Sequence, residues 1–158
     1  MTTPVDALGG VVNACVLTPN VVTGGQPSAS NLAALGAMGG AIVLDLRDPM
    51  EPRPLDEPQS AKAAGLEYIN IPVTPATHDD TTLERVLGVL RGAGTRTVFV
   101  HCGSGNRVGG ALIPWLILDL GFNEEDAVNQ AMRVGLRSAE LMQWGLDYAR
   151  RNQPAAGP

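Results

Sequence analysis

The residues best equipped for chemistry lie in one run, Val98-Phe99-Val100-His101-Cys102-Gly103-Ser104-Gly105-Asn106-Arg107. A short apolar stretch delivers a cysteine into a glycine-rich turn that closes on an arginine and opens a helix. Backbone N–H groups between Gly103 and Arg107 are placed to curl around an anion, because the first amides of a helix have no intrahelical acceptor. Gly103 and Gly105 permit the positive-φ turns that such a nest needs. The same donors and a nearby arginine can bring a thiol from about 8.5 into the range of roughly 3.5–7.5, where it is a nucleophile at neutral pH. Arg107 supplies a planar fork for two oxygens of a phosphate or sulfate. His101 is placed to fix the loop through hydrogen bonds, and Ser104 to donate one to the thiolate or ligand. Nucleophile, electrophilic clamp and oxyanion donors thus come from consecutive residues. Cys15 sits in an apolar segment without basic neighbours and reads as a small core residue, with no disulfide to Cys102 expected.

Positioning such a loop calls for a strand before it and a helix after it. Apolar, β-branched runs at Val11–Leu17, Ala41–Leu46, Glu67–Ile71 and Thr97–Val100 alternate with helical patterns, which predicts a four- or five-stranded, mostly parallel α/β sheet flanked by helices. In such sheets ligands bind at the carboxyl ends of the strands. A helix is predicted after Pro27-Ser28, ending at Gly39-Gly40, and a short one around Gln59–Ala64. A further helix carries Leu83, Val86, Leu87 and Leu90 on one face. Val108–Leu120 is apolar nearly all round and belongs at the domain centre, with a kink expected at Pro114. Asn123 and Ser138 cap two closing helices, the last with a packing stripe of Leu141, Trp144, Gly145 and Tyr148. One domain over residues 10–151 is expected, with an N-terminal extension (1–9) and a loose tail (152–158).

A net charge of −5 over 158 residues argues against a nucleic-acid or anionic-membrane binder. Met1–Ala7 shows no signal peptide, and the longest apolar run is too short to span a bilayer. With only two cysteines, a reducing cytoplasmic location is expected.

The run Val-His-Cys-Gly-Ser-Gly-Asn-Arg-Val-Gly resembles the active loop of the bacterial β-lactamase-hydrolase-like phosphatase domains, a branch of the dual-specificity, cysteine-dependent phosphatases. Thr23-Gly24-Gly25-Gln26-Pro27-Ser28, Ile42-Val43-Leu44-Asp45-Leu46-Arg47 and Gly135-Leu136-Arg137-Ser138 match as well, so that the resemblance spans residues 10–150. It implies that Cys102 attacks phosphorus and forms a phosphocysteine that water then hydrolyses. Arg107 would bind the equatorial oxygens, helped by His101, Gly103, Ser104, Gly105 and Asn106, with Gln26 and Arg47 joining the substrate-binding set. No metal or other cofactor is implied, and the partner is a phosphorylated small molecule or phosphoprotein.

Three features depart from the family pattern. Four residues separate Cys102 from Arg107 where five are usual, Val108 replaces the usual hydroxyl residue, and no general acid is obvious. A general acid that protonates the leaving alkoxide is worth about 10²–10⁴-fold. Asp79 and Asp80, on the loop after the third strand, are the first candidates, followed by His78, then Asp48 and Glu51. The acidic Asp48–Pro58 segment is expected to form part of the pocket rim and to disfavour strongly acidic substrates.

Two other functions stay open at the level of sequence. The same four-residue spacing resembles single-domain rhodaneses, as do Leu44–Pro49 and Ile69–Pro72; Cys102 would then carry a persulfide. The chain lacks the usual Gly-His segment of those enzymes and their Gly-Gly-x-x-x-Trp ending. A non-catalytic module would keep Arg107 and the nest to bind a phosphoryl ligand without turnover.

Overall fold

The computed structural model describes residues 3–154; the last residues of the expected tail, 155–158, lie outside it. Five strands form one sheet: β1 (Cys15–Thr18), β2 (Val21–Gly24), β3 (Ile42–Asp45), β4 (Glu67–Asn70) and β5 (Val98–His101), in the order β1-β2-β5-β3-β4. Only the β1–β2 pair is antiparallel. Of the run Val11–Leu17 expected as a strand, only the part from Cys15 belongs to one; Pro19 and Asn20 then turn the chain into β2, a second four-residue strand that was not expected. So short a strand as β2 gives no alternation to read.

Six helices surround the sheet: α1 (Ala29–Gly36), α2 (Glu57–Ala63), α3 (Asp80–Gly92), α4 (Asn106–Leu118), α5 (Glu124–Val134) and α6 (Ala139–Asn152). Strand side chains alternate between two cores. Val22, Val43 and Phe99 pack with α1 and α2, joined by Leu8 from a 3-10 turn at Pro4–Leu8, so part of the N-terminal extension is built into the fold. Val21, Ile42, Leu44, Val98 and Val100 pack on the opposite face with α3 to α6. Because successive residues point to opposite faces, His101 joins Phe99 on the α1/α2 side, where the two rings stack with centroids 5.3 Å apart. Cys102 falls in the core cluster of the other face.

Helix α4 is buried almost throughout, as its composition predicts, and runs through Pro114 without interruption. Pro114 cannot donate to the carbonyl of Gly110. That carbonyl abuts Gly145 of α6 so closely that a Cβ at 145 would overlap it. Glycine at 145 therefore lets α6 press the centre of α4 into place behind the Cys102 loop.

Candidate active site

The chain leaves β5 at His101, and Cys102 follows, 1 % exposed. Gly105 adopts φ +98° as the N-cap of α4, a conformation an L side chain rarely takes. Its N–H then donates to Cys102 Sγ at 3.1 Å. The hydrogen bond to the sulfur that was expected from the Ser104 hydroxyl thus comes from the Gly105 amide; the Ser104 carbonyl accepts from Asn13 Nδ2 at 2.8 Å. Among the described residues, the N–H groups of Gly103, Ser104, Asn106 and Arg107 donate to no protein acceptor. Two glycines outside the loop brace it: a Cβ at Gly25 would sit 2.5 Å from the Gly103 carbonyl, and one at Gly135 2.8 Å from that of Ser104. Asn106 Oδ1 accepts from the N–H groups of Arg137 and Ser138, at 2.7 and 3.2 Å, and so ties the loop to the start of α6.

Arg107, half-buried on the first turn of α4, is gripped end-on by Glu51: Nη1 donates to Oε2 at 2.6 Å and Nη2 to Oε1 at 3.1 Å. Glu51 also accepts the Asp48 N–H at 2.7 Å and the Arg47 Nε–H at 3.4 Å. The Arg107 hydrogen bond, chiefly, holds the Glu51 carboxyl down at about 2. Burial works against the charge of Arg107, but Glu51 and the neighbouring Cys102 outweigh it and raise the guanidinium further. Glu51 is therefore charged at neutral pH and holds the Arg107 guanidinium, a setting that suits an orienting anion better than the proton donor expected of it. A cavity of about 480 Å³ opens beside Arg107, lined among others by Asp48, Glu51, His78, Asn106 and Glu140.

The structure does not bring the two first-choice acids into this cavity. Asp79 caps α3, accepting from the Thr82 N–H at 2.9 Å, which lowers its carboxyl. Asp80 makes a two-toothed pair with Arg151 at 2.7 and 2.8 Å, lowering it likewise. Both acids stand at a helix start, where unpaired amides and a neighbouring arginine capture them before the pocket can. His78, one residue earlier, does line the cavity, its ring stacked on Trp144 at 4.9 Å and its Nδ1 3.5 Å from Glu140. Trp144 fixes this loop by donating Nε1–H to the Asp79 carbonyl.

Gln26 and Arg47, expected to touch substrate, lie behind the loop instead. Arg47 is buried at 8 % exposure; its Nη1 donates to Gln26 Oε1 at 2.5 Å and its Nη2 to the Pro52 carbonyl. Gln26 donates from Nε2 to Glu57 Oε1 at 2.7 Å, and its N–H donates to the Gly103 carbonyl. Glu57, the first residue of α2, is fully buried and was not anticipated. Its other oxygen meets His101 Nε2 at 2.5 Å, while His101 Nδ1 faces the Cys102 carbonyl at 3.2 Å. Burial alone would raise the Glu57 carboxyl; His101 and Gln26 reverse this and leave it lowered. The available sign was the acid itself, one residue ahead of Pro58 at a helix start, but its reach across to β5 depends on tertiary packing.

Asp45, Glu57 and His101 place ligand-type atoms within 4.8 Å of one another. Asp45 already accepts from Arg53 at 2.5 Å and from the Tyr68 hydroxyl at 2.6 Å, with Glu57 held as above, so the guanidinium fills the cation's role there. Both cysteines are free.

No family model and no curated protein sequence matches the chain. Solved structures do. A DUF442 protein from Shewanella putrefaciens CN-32, described as a candidate phosphatase, superposes with a TM-score of 0.79 at 17 % identity, covering 93 % of this chain and 97 % of that one. P. aeruginosa TpbA in complex with pTyr matches with a TM-score of 0.68 at 19 % identity, over 95 % and 86 % of the chains. The core catalytic domain of the PP-IP phosphatase SIW14 from S. cerevisiae gives 0.70 at 16 %, over 87 % and 86 %. The five-stranded, helix-flanked architecture of this chain is accordingly a fold that it shares with these phosphatase structures.

Proposed function

We propose that the protein is a cysteine-dependent phosphomonoesterase. The observation that carries this reading is the Gly105 N–H on Cys102 Sγ at a helix N-terminus, with Arg107 two residues further on, in a fold shared with phosphatases. The Cys102 thiolate attacks phosphorus, the P–O ester bond breaks, and the leaving oxygen takes a proton. Water then attacks the phosphocysteine, releasing phosphate and returning the thiolate. The loop amides and the inner edge of Arg107 stabilise the equatorial oxygens, a contribution of about 10²–10³-fold for a single donor in comparable sites.

His78 is the best-placed proton donor, since it lines the cavity and Asp79 and Asp80 do not. Its role is tested by leaving-group dependence: His78→Gln should slow alkyl phosphates far more than p-nitrophenyl phosphate, whose anion leaves unaided. Asp48, Glu51 and Glu140 on the cavity wall favour a substrate with a single phosphoryl group and little other negative charge. A phosphotyrosine-like monoester fits that rim better than a polyphosphorylated ring does. Among the described residues no helix is long and apolar enough to cross a membrane. The two free cysteines suit a reducing cytoplasm.

The burial of Cys102 favours a second reading, a phosphoryl-binding module without turnover. Hydrolysis of p-nitrophenyl phosphate and sulfur transfer from thiosulfate to cyanide, measured for the parent, Cys102→Ser and Arg107→Ala, separate the classes. Phosphate release lost in both variants supports the esterase. Oxyanion binding without release, abolished by Arg107→Ala, supports the module. Cyanide-dependent sulfur transfer supports a sulfurtransferase.

A further inference from the structure

The two ends of the Cys102 loop are joined by a chain of polar side chains that passes outside the loop. From the residue before the cysteine it runs His101 to Glu57 (2.5 Å), Glu57 to Gln26 (2.7 Å), Gln26 to Arg47 (2.5 Å), Arg47 to Glu51 (3.4 Å) and Glu51 to Arg107 (2.6 Å). The side chains come from three stretches of sequence, Gln26 from one, Arg47, Glu51 and Glu57 from the segment after β3, and His101 and Arg107 from the two ends of the loop, and Glu57 and His101 are fully buried. Gln26 joins the two halves by side-chain hydrogen bonds, accepting from Arg47 through Oε1 and donating to Glu57 through Nε2, whereas Asp45, which accepts the Arg47 backbone N–H, stands 3.8 Å from His101 Nε2. Its backbone N–H also holds the Gly103 carbonyl of the loop itself. An amide suits this place because it presents an acceptor to a cation and a donor to an anion at once. Asp45, Arg53 and Tyr68 close the other side of the cluster at its His101–Glu57 end, where both side chains are fully buried, while Glu51 and Arg107 at the far end are partly exposed. Where a chain of hydrogen bonds is buried its links strengthen one another, and substitutions along it stop being additive.

We propose that Gln26 is a positioning residue that couples the cysteine end of the loop to the arginine end, so that the setting of His101 under Cys102 and the orientation of Arg107 change together. This rests on the catalytic reading of the loop, but the coupling has its own readout. The chain has two histidines, His78 and His101, so the ring-nitrogen NMR signals of His101 can be followed directly. Glu51→Gln alters the network at its far end. It should shift the His101 nitrogens in the parent and leave them unmoved in a Gln26→Leu background.

The functional counterpart is a double-mutant cycle on vanadate binding and on Cys102 alkylation by iodoacetamide. With Gln26 present, Glu57→Gln and Glu51→Gln should combine non-additively by about tenfold; with Gln26→Leu they should multiply independently. Gln26→Glu, which keeps the Arg47 contact but opposes Glu57, should uncouple the pair as Gln26→Leu does while preserving vanadate affinity better. Non-additivity that is equal in both backgrounds, or His101 signals indifferent to Glu51→Gln in the parent, would overturn the proposal. If Gln26→Leu fails to fold, the Glu variant and the parent NMR comparison still decide it. None of these readouts needs turnover, so an inactive protein can pass and an active phosphatase can fail.

Discussion

Two acid-bearing loops leave adjacent parallel strands at the same edge of the sheet, yet they treat their acids differently. After β3, Glu51 and Glu57 fold inward and hold Arg107 and His101. After β4, Asp79 and Asp80 turn to a helix cap and a surface arginine. The difference lies in what each carboxylate meets first. The β3 loop has the Arg107 guanidinium and the His101 ring within reach and no long helix starting beneath it. The β4 loop runs straight into the unpaired amides of a thirteen-residue helix. Position at a strand end thus delivers a segment to the site, and the nearest unsatisfied donor decides which side chain stays there.

The widest gap between the two loops should appear in catalysis. Glu51→Gln should lower kcat/KM for p-nitrophenyl phosphate by about 10²-fold, because a clamp displaced by an ångström loses that much. Asp80→Asn should leave it within about twofold, as expected of an exposed pair. Equal losses in steady-state assays would erase the distinction. The next effect is in pH dependence. Glu51 is held near 2 against an ordinary 4.5, so its folded-state pKa is depressed. The stability it contributes is complete above about 4.5 and fades as pH falls toward 2. Thermal melts should therefore show a constant gap between the parent and Glu51→Gln from neutrality down to that point, then a shrinking one. A gap that changes between pH 6 and 8 would mean another group is titrating there. The smallest effect is on the β4 side: Asp79→Ala should lower Tm by a few degrees through loss of the α3 cap while sparing activity. A larger fall in activity than in stability would return Asp79 to the mechanism.

Much of the architecture was legible in sequence because local signals agreed. The apolar runs marked β3, β4 and β5, and Ser138 capped α6 through the Leu141 N–H, whereas α1 ends at Gly36, three residues before the glycine pair expected to close it. The loop was legible too, since Cys102, Gly105 and Arg107 are consecutive and their chemistry is local. What escaped was whatever depended on contact across the sheet. The β1–β2 hairpin was hidden by the shortness of its strands. Gln26 and Arg47, expected in the substrate-binding set, have protein partners, Glu57 and Pro52 among them, because sequence cannot tell the front of a loop from its back. Glu57 shows locally only as an acid ahead of Pro58 at a helix start; the alternation that turns His101 toward α2 is what makes it a partner. Pro114 lies inside a helix that continues on both sides of it. In the fold, the carbonyl left without a donor is packed against Gly145.

The covalent step can be tested by quenching the protein in acid during turnover of p-nitrophenyl phosphate and mapping the adduct by mass spectrometry. A cysteine mechanism predicts one phosphoryl group on the peptide carrying Cys102, absent in Cys102→Ser together with all phosphate release. Phosphate release that continues in Cys102→Ser, or an adduct on any other residue, would contradict it.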